Sequence, residues 1–204
     1  MRLICFGDSW TAGHGVEGDP AYERDGSPPI FIERLRLMNS WPRWLANELD
    51  CPFVNLGECG ISNEMILSNI QKVIENHFLM PEDVIVVMFS HPQRFRTSEI
   101  SPEKTFLEME KILGEYQHFY LNSFYPTFMD EKNFKITSLP EYFIQPDQTL
   151  SNVLKKYEQN HNTSVWEHGN RRGKDMIGEF HPNILGYKII AKHIYQQIKD
   201  KVHH

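Results

Sequence analysis

MRLICFGDSWTAGHG, residues 1–15, decides how the rest of the chain is read. Arg2 to Phe6 is a short apolar run ended by Gly7, and it predicts a buried β-strand. Ser9 then falls just outside the carboxyl end of that strand, where open α/β sheets bind their ligands. A serine in that place is a candidate nucleophile, and the remaining sequence has to supply a base and a site for the oxyanion. The competing reading of Ser9 is a helix N-cap. Asp8 reads as a turn residue whose carboxylate accepts backbone N–H groups.

Outward from this stretch, the order strand, glycine turn, helix recurs. Phe53 to Leu56 runs into Gly57 and Gly60, and Asn63 to Asn76 follows with Ile66, Ile70, Val73 and Ile74 at helical spacing. Asp83 to Phe89, DVIVVMF, fits a strand covered on both faces and predicts the centre of the fold. Ser40 and Pro42 predict a helix start, with Ser40 as cap and Trp41, Trp44, Leu45 and Leu49 facing the sheet. Ser101-Pro102-Glu103 opens another helix, whose buried face is Phe106, Met109, Ile112, Leu113 and Tyr116. Pro182 reads as a first-turn residue of a terminal helix that buries Tyr187, Ile190, Ala191, Ile194 and Ile198.

Between these, His118–Tyr125 and Phe134–Leu139 each read as a strand, and Asp147–Gln159 as a helix with Leu150, Val153, Leu154 and Tyr157 inward. The Gly- and Pro-rich segment from Gly13 to Pro29 reads as a loop, and Val16 to Phe31 as a lid or a protein contact. The alternation predicts an α/β fold: a three-layer α/β/α sandwich with a mostly parallel sheet and right-handed crossovers. A chain of 204 residues without an evident linker is expected to form a single domain, 1–204.

Composition narrows the partners. Lys and Arg number 21 against 27 Asp and Glu, a formal charge of −6, which offers no electrostatic footprint for nucleic acid or an anionic membrane. Cys5, Cys51 and Cys59 match no metal or redox spacing and read as reduced thiols. The longest apolar run, Val84–Phe89, is too short to cross a bilayer, and the first strand begins at residue 2, so a cytoplasmic protein is expected. Gly13-His14-Gly15-Val16-Glu17-Gly18 formally matches GxGxxG but runs into Asp19-Pro20 instead of a helix, so no dinucleotide cofactor is expected. His161 and His168, with Glu158 and Glu167, fit no ligand spacing, and a solvated loop is expected there instead of a metal site.

The partner for Ser9 is His181, in GEFHPNILGY, immediately before Pro182. A histidine at the positive end of a helix tends to stay neutral, the form a general base requires. Its other reading is a packed, capped residue.

Three separated stretches, Gly7-Asp8-Ser9-Trp10, Asn55-Leu56-Gly57 running to Gly60, and His181-Pro182-Asn183 with Gly186, together resemble the SGNH (GDSL-type) hydrolases. The resemblance spans nearly the whole chain, with the motifs in the family's order. It implies a flavodoxin-like fold and hydrolysis of an ester, thioester or O-acyl group without a metal or cofactor. It further implies Ser9 as nucleophile, His181 as base, and the backbone N–H groups of Ser9 and Gly60 as the oxyanion hole.

Two departures from the family pattern stand out. Where the family carries a Gly-x-Asn turn after its third strand, this chain has Phe89-Ser90-His91-Pro92, which puts His91 at the asparagine position. His91 is either a substitute donor or an ordinary turn residue, and Asn63 is a second candidate donor. Where the family carries an Asp three residues before its histidine, this chain has Gly178, with Glu179 two before and Asp175 six before. His181 is then oriented either by a backbone carbonyl such as that of Gly178 or by Glu179. The expected substrate is a small-molecule or carbohydrate ester, with aromatics of the Tyr116–Phe143 region filling the core or lining a pocket. The alternative is a degenerate relative that binds a carbohydrate or a protein without cleaving it.

Overall fold

Leu3–Gly7 forms the strand on which everything else is hung, β1, and all five residues are buried. In the computed structural model, the described residues are 1–14, 16, 29–90, 102–123, 149–166 and 181–202, with 29–32, 102 and 103 described by backbone alone. The expected strand Phe134–Leu139, the loop residues 17–28, His91, Asp175, Gly178, Glu179 and the pair His168 and Glu167 lie outside them. In chain order, β1 is followed by α1 (Ser9–Ala12), α2 (Pro29–Asn39), α3 (Trp41–Glu48), β2 (Phe53–Gly57) and α4 (Asn63–Glu75). Then come β3 (Val84–Phe89), α5 (Pro102–Leu113), β4 (Gln117–Asn122), α6 (Leu150–His161) and α7 (Ile184–Ile198).

The four strands are all parallel, in the order β2-β1-β3-β4. The chain leaves β1 to one side for β2 and returns to its other side for β3, so the strand order reverses between β1 and β3. In a flavodoxin-like sheet this is the point at which a crevice opens outside the carboxyl ends. Both faces are covered. Leu3, Cys5, Val84, Val86 and Met88 pack with α3, α6 and α7, through residues such as Trp41, Leu45, Leu154, Tyr187 and Ile190. Ile4, Phe6, Ile85, Val87 and Phe89 pack with α4 and α5, through Ile66, Ile70, Phe106 and Met109. Alternating β1 and β3 residues serve opposite faces, as the pleat requires, and the result is the three-layer α/β/α arrangement. No helix among the described residues is long and apolar enough to cross a membrane.

Several sequence expectations need correction. The segment read as loop through Phe31 turns helical at Pro29, and α2 is a helix that the periodicity did not announce. Its Leu37 and Met38 face solvent, so the apolar residues form no clean stripe. Ser40 occupies the N-cap position of α3 without capping it: its hydroxyl donates to Leu37 O at 3.1 Å instead. The helix expected from Asp147 starts at Leu150, because Thr149 takes the Asn152 N–H at 3.2 Å and sets the cap. Only Leu150 and Leu154 of its four expected inward residues are fully buried. Glu158 and His161 sit on that helix and not in a solvated loop, with Glu158 accepting from Trp166 Nε1 at 3.2 Å. Tyr116 lies beyond the end of α5.

Candidate active site

The turn after β1 is built by three close constraints. Asp8, fully buried, caps α1 by accepting the Trp10 N–H at 3.0 Å, which matches its expected turn role. Gly7 is hemmed in, since a Cβ there would lie 2.1 Å from Thr11 Oγ1 and 3.0 Å from Met88 O. Its carbonyl accepts the Glu58 N–H at 2.9 Å, tying the exit of β2 to the exit of β1. Asn55 completes the join: its Nδ2 donates to Thr11 O at 2.7 Å while its Oδ1 holds the Gly57 N–H at 3.0 Å. Ser9 is thereby fixed as the first residue of α1, and it is 1% exposed.

His181 reaches Ser9 from 172 residues away, with Nε2 3.0 Å from Ser9 Oγ. A neutral ring that accepts the serine proton at Nε2 carries its own on Nδ1. The reading of Pro182 as a first-turn residue is corrected: Asn183 is the N-cap of α7 and accepts the Gly186 N–H at 3.0 Å. His181 therefore stands two residues ahead of the cap. The field of a helix end fades within about a turn, so it acts on this ring from farther off than a first-turn Pro182 would imply.

What places His181 is a nonlocal clasp. Pro182 pairs with Trp166 in an isolated antiparallel bridge. Asn183 donates its N–H to Val165 O at 3.0 Å and its side-chain amide to Ser164 O and Trp166 O, each at 3.2 Å. Gly186 allows this approach, for a Cβ there would lie 2.4 Å from Val165 O. Trp166 in turn meets Trp10 edge-on, ring centroids 6.0 Å apart, joining the histidine arm to the serine turn.

The other expected residues are placed as follows. Gly60 follows β2 in the left-handed region, φ +76°, a conformation that favours glycine, and among the described residues nothing lies within 4 Å of where a Cβ would sit. Among the described residues, no hydrogen bond engages the backbone N–H of Ser9 or of Gly60. Asn63, expected as an alternative oxyanion donor, is instead turned to the peptide of Ser90. Its Oδ1 accepts the Ser90 N–H at 2.7 Å and its Nδ2 donates to Ser90 O at 3.4 Å, which ties the exit of β3 to the start of α4. No group of three or more His, Cys, Asp or Glu capable of holding a metal occurs among the described residues.

Sequence reasoning passed over His14. Its ring is half-buried, with its centroid 5.6 Å from that of His181 at an interplanar angle of 37°. The only signal was its position five residues after Ser9, within the glycine-rich stretch dismissed as a dinucleotide motif. The clasp residues Ser164 to Trp166 gave no sequence signal, because carbonyl acceptors belong to every residue type.

No family model and no curated protein matches the sequence. Among solved structures, the chain is similar to a member of the lipolytic protein G-D-S-L family from Veillonella parvula, at 18% identity over 98% of this chain and 99% of that one, TM-score 0.50. It is also similar to a lipase from a goat rumen metagenome, at 15% identity over 100% of both chains, TM-score 0.54. A third likeness is to an alpha/beta hydrolase enzyme from the metagenome of Lake Arreo, Spain, at 14% identity over 100% of this chain and 96% of that one, TM-score 0.56. At these identities the likeness is one of fold, and it is the fold derived above: helices on both sides of a parallel sheet.

Proposed function

We propose that this chain is a serine-dependent hydrolase of acyl esters. The observation that carries the reading is the 3.0 Å approach of His181 Nε2 to Ser9 Oγ at the reversal point of the sheet. In this mechanism Ser9 Oγ attacks the acyl carbon while His181 takes the hydroxyl proton at Nε2. The imidazolium then returns that proton to the departing alkoxide, leaving an acyl-serine. Water, deprotonated by the same nitrogen, attacks the acyl carbon, and the carboxylate leaves as the proton returns to Ser9.

The developing oxyanion is assigned to the backbone N–H groups of Ser9 and Gly60, which no hydrogen bond among the described residues engages, with His91 as the third donor. Behind the base, the Nδ1–H is assigned to the Gly178 carbonyl or the Glu179 carboxylate. The similarity to a lipolytic G-D-S-L protein and to a lipase supports an ester as substrate. The substrate class proposed is a small-molecule or carbohydrate ester.

The test is hydrolysis of a short-chain aryl acetate by wild type and Ser9→Ala, followed by a screen of acetylated sugars against acyl chains of increasing length. The proposal expects wild-type turnover about a thousandfold or more above Ser9→Ala. Equal rates in the two proteins overturn it and favour a binding domain that cleaves nothing.

A further inference from the structure

We propose that Asn63 is a positioning residue for the oxyanion hole: its two bonds to the backbone of Ser90 set where the Gly60 N–H stands over the serine turn. This inference rests on the hydrolase reading above.

The order of the sheet gives the segment from Gly57 to Asn63 a definite path. It leaves β2, the edge strand, and its far end meets the residue that follows β3, with β1 lying between the two. Residues 57–63 therefore cross the carboxyl end of β1, two strand spacings or about 10 Å in all, and Ser9 stands at that end. On the near side the Glu58 N–H donates to Gly7 O at 2.9 Å. On the far side Asn63, 1% exposed, takes the Ser90 N–H on Oδ1 at 2.7 Å and donates from Nδ2 to Ser90 O at 3.4 Å. Gly60 lies between these two fixings, exposed and left-handed.

The first turn of α4 decides how the crossing segment sits. Ser62 caps that turn by accepting the Met65 N–H at 3.4 Å, and Glu58 Oε1 accepts from Asn69 Nδ2 at 3.0 Å, so the segment is tied to α4 at two points. Ile66 and Ile70 seat α4 on the sheet through apolar contact, which carries no direction. Hydrogen bonds are directional, and those of Asn63 register the start of α4, with Gly60 three residues ahead of it, against the exit of β3. The same bonds hold the residue from which the chain continues to His91, the third donor proposed above. An oxyanion donor works where it meets the oxygen at about 2.7–3.1 Å. Misplacement by about 1 Å costs on the order of a hundredfold in rate.

The experiment measures kcat and KM for an aryl acetate and for its thionoacetate analogue, with melting temperature alongside, in wild type, Asn63→Leu and Asn63→Asp. Sulfur is a weak hydrogen-bond acceptor, so the thionoester draws little on the hole while making the same demand on Ser9 and His181. Asn63→Leu loses both bonds. It should lower kcat for the acetate about ten- to hundredfold with KM changed less than about twofold, and kcat for the thionoacetate less than about threefold. Asn63→Asp keeps an acceptor for the Ser90 N–H, at a helix start that favours a carboxylate, and should hold the acetate kcat within about fivefold of wild type. Where Asn63→Leu does not fold, Asn63→Ser, too short to reach Ser90 from the same place, is read by the same criteria. Where the thionoester turns over too slowly to measure, the comparison with Asn63→Asp decides. Equal losses for acetate and thionoacetate overturn the proposal, since the residue would then act through the base or the fold at large, and so does an unchanged acetate kcat. A loss in Asn63→Asp as deep as in Asn63→Leu overturns it as well. Wild type no faster than Ser9→Ala sinks the hydrolase reading, whereas an active wild type with the ratio of the two substrates unchanged in the Asn63 variants sinks this inference alone.

Discussion

Ser9 and His181 arrive at the same point by opposite means. Ser9 is held by its own neighbourhood: the strand it leaves, the Asp8 cap on Trp10, and the Gly7 carbonyl two residues before it. His181 is held at a distance, through Asn183 and Pro182 bonded to Ser164, Val165 and Trp166. The difference teaches where precision in this site comes from. One arm is part of the central sheet, buried on both faces, and moves only if the sheet does; the other is a clasp of peptide hydrogen bonds that one substitution can loosen.

The largest break in that comparison comes from removing the far arm altogether. His181→Ala should lower kcat for an aryl acetate by about three orders of magnitude with little change in melting temperature, because the ring is only half-buried. Gly7→Ala should do the reverse in kind. An added Cβ meets Thr11 Oγ1 and the Met88 carbonyl, so stability falls by about 2–3 kcal/mol in denaturant titration. Activity should fall with the folded fraction.

Loosening the clasp without removing the base is the intermediate case. Asn183→Ala deletes the α7 cap and two side-chain bonds to the Ser164–Trp166 segment. The expected outcome is about 1–2 kcal/mol of lost stability and about a tenfold loss in kcat, read by thermal unfolding and steady-state kinetics. An unchanged kcat would show that His181 is held by something other than this clasp.

The smallest effect belongs to the near arm's distant end, at the start of β1. Asp83 is fully buried and accepts from Arg2 Nε at 3.0 Å and Nη2 at 2.6 Å. Burial pushes its carboxyl pKa up, but the Arg2 guanidinium and the Met80 N–H outweigh that and leave it below the ordinary value. A carboxyl with a lowered folded pKa contributes stability that is present above its unfolded pKa, about 3.9, and is lost as pH falls through the folded value. Asp83→Asn should therefore cost about 1–2 kcal/mol at pH 7, with the deficit against wild type shrinking as pH falls below about 4. Activity at pH 7 should be unaffected where the protein is folded.

How much of this was legible in the sequence follows the same division. The near arm was legible because its determinants are contiguous: the apolar run of β1, the glycine that ends it, and the serine that follows. Likewise β3 and the stripes of α4 and α7 could be read, since burial against a sheet imposes a period on the sequence. The far arm was legible only as a residue type. That His181 faces Ser9 depends on Asn183 meeting carbonyls near residue 165, and a backbone acceptor leaves no mark on the sequence. The cap on Asn183 likewise displaced the helix start that Pro182 suggested, because a side chain that takes the Gly186 N–H outranks a proline's preference for the first turn. The helix α2 escaped because Leu37 and Met38 point outward, breaking the stripe that would have announced it. Asn63 reads as a donor because an amide stands beside an expected oxyanion site, and the sequence does not show that its oxygen and its nitrogen both bond the backbone of Ser90.

The central claim, that His181 activates Ser9, is tested most directly by the rate at which a fluorophosphonate labels the protein, with the modified residue identified by mass spectrometry. The predicted result is labelling confined to Ser9 in wild type, slowed about a hundredfold or more in His181→Ala. Labelling at another residue, or an equal rate at Ser9 in both proteins, would contradict it.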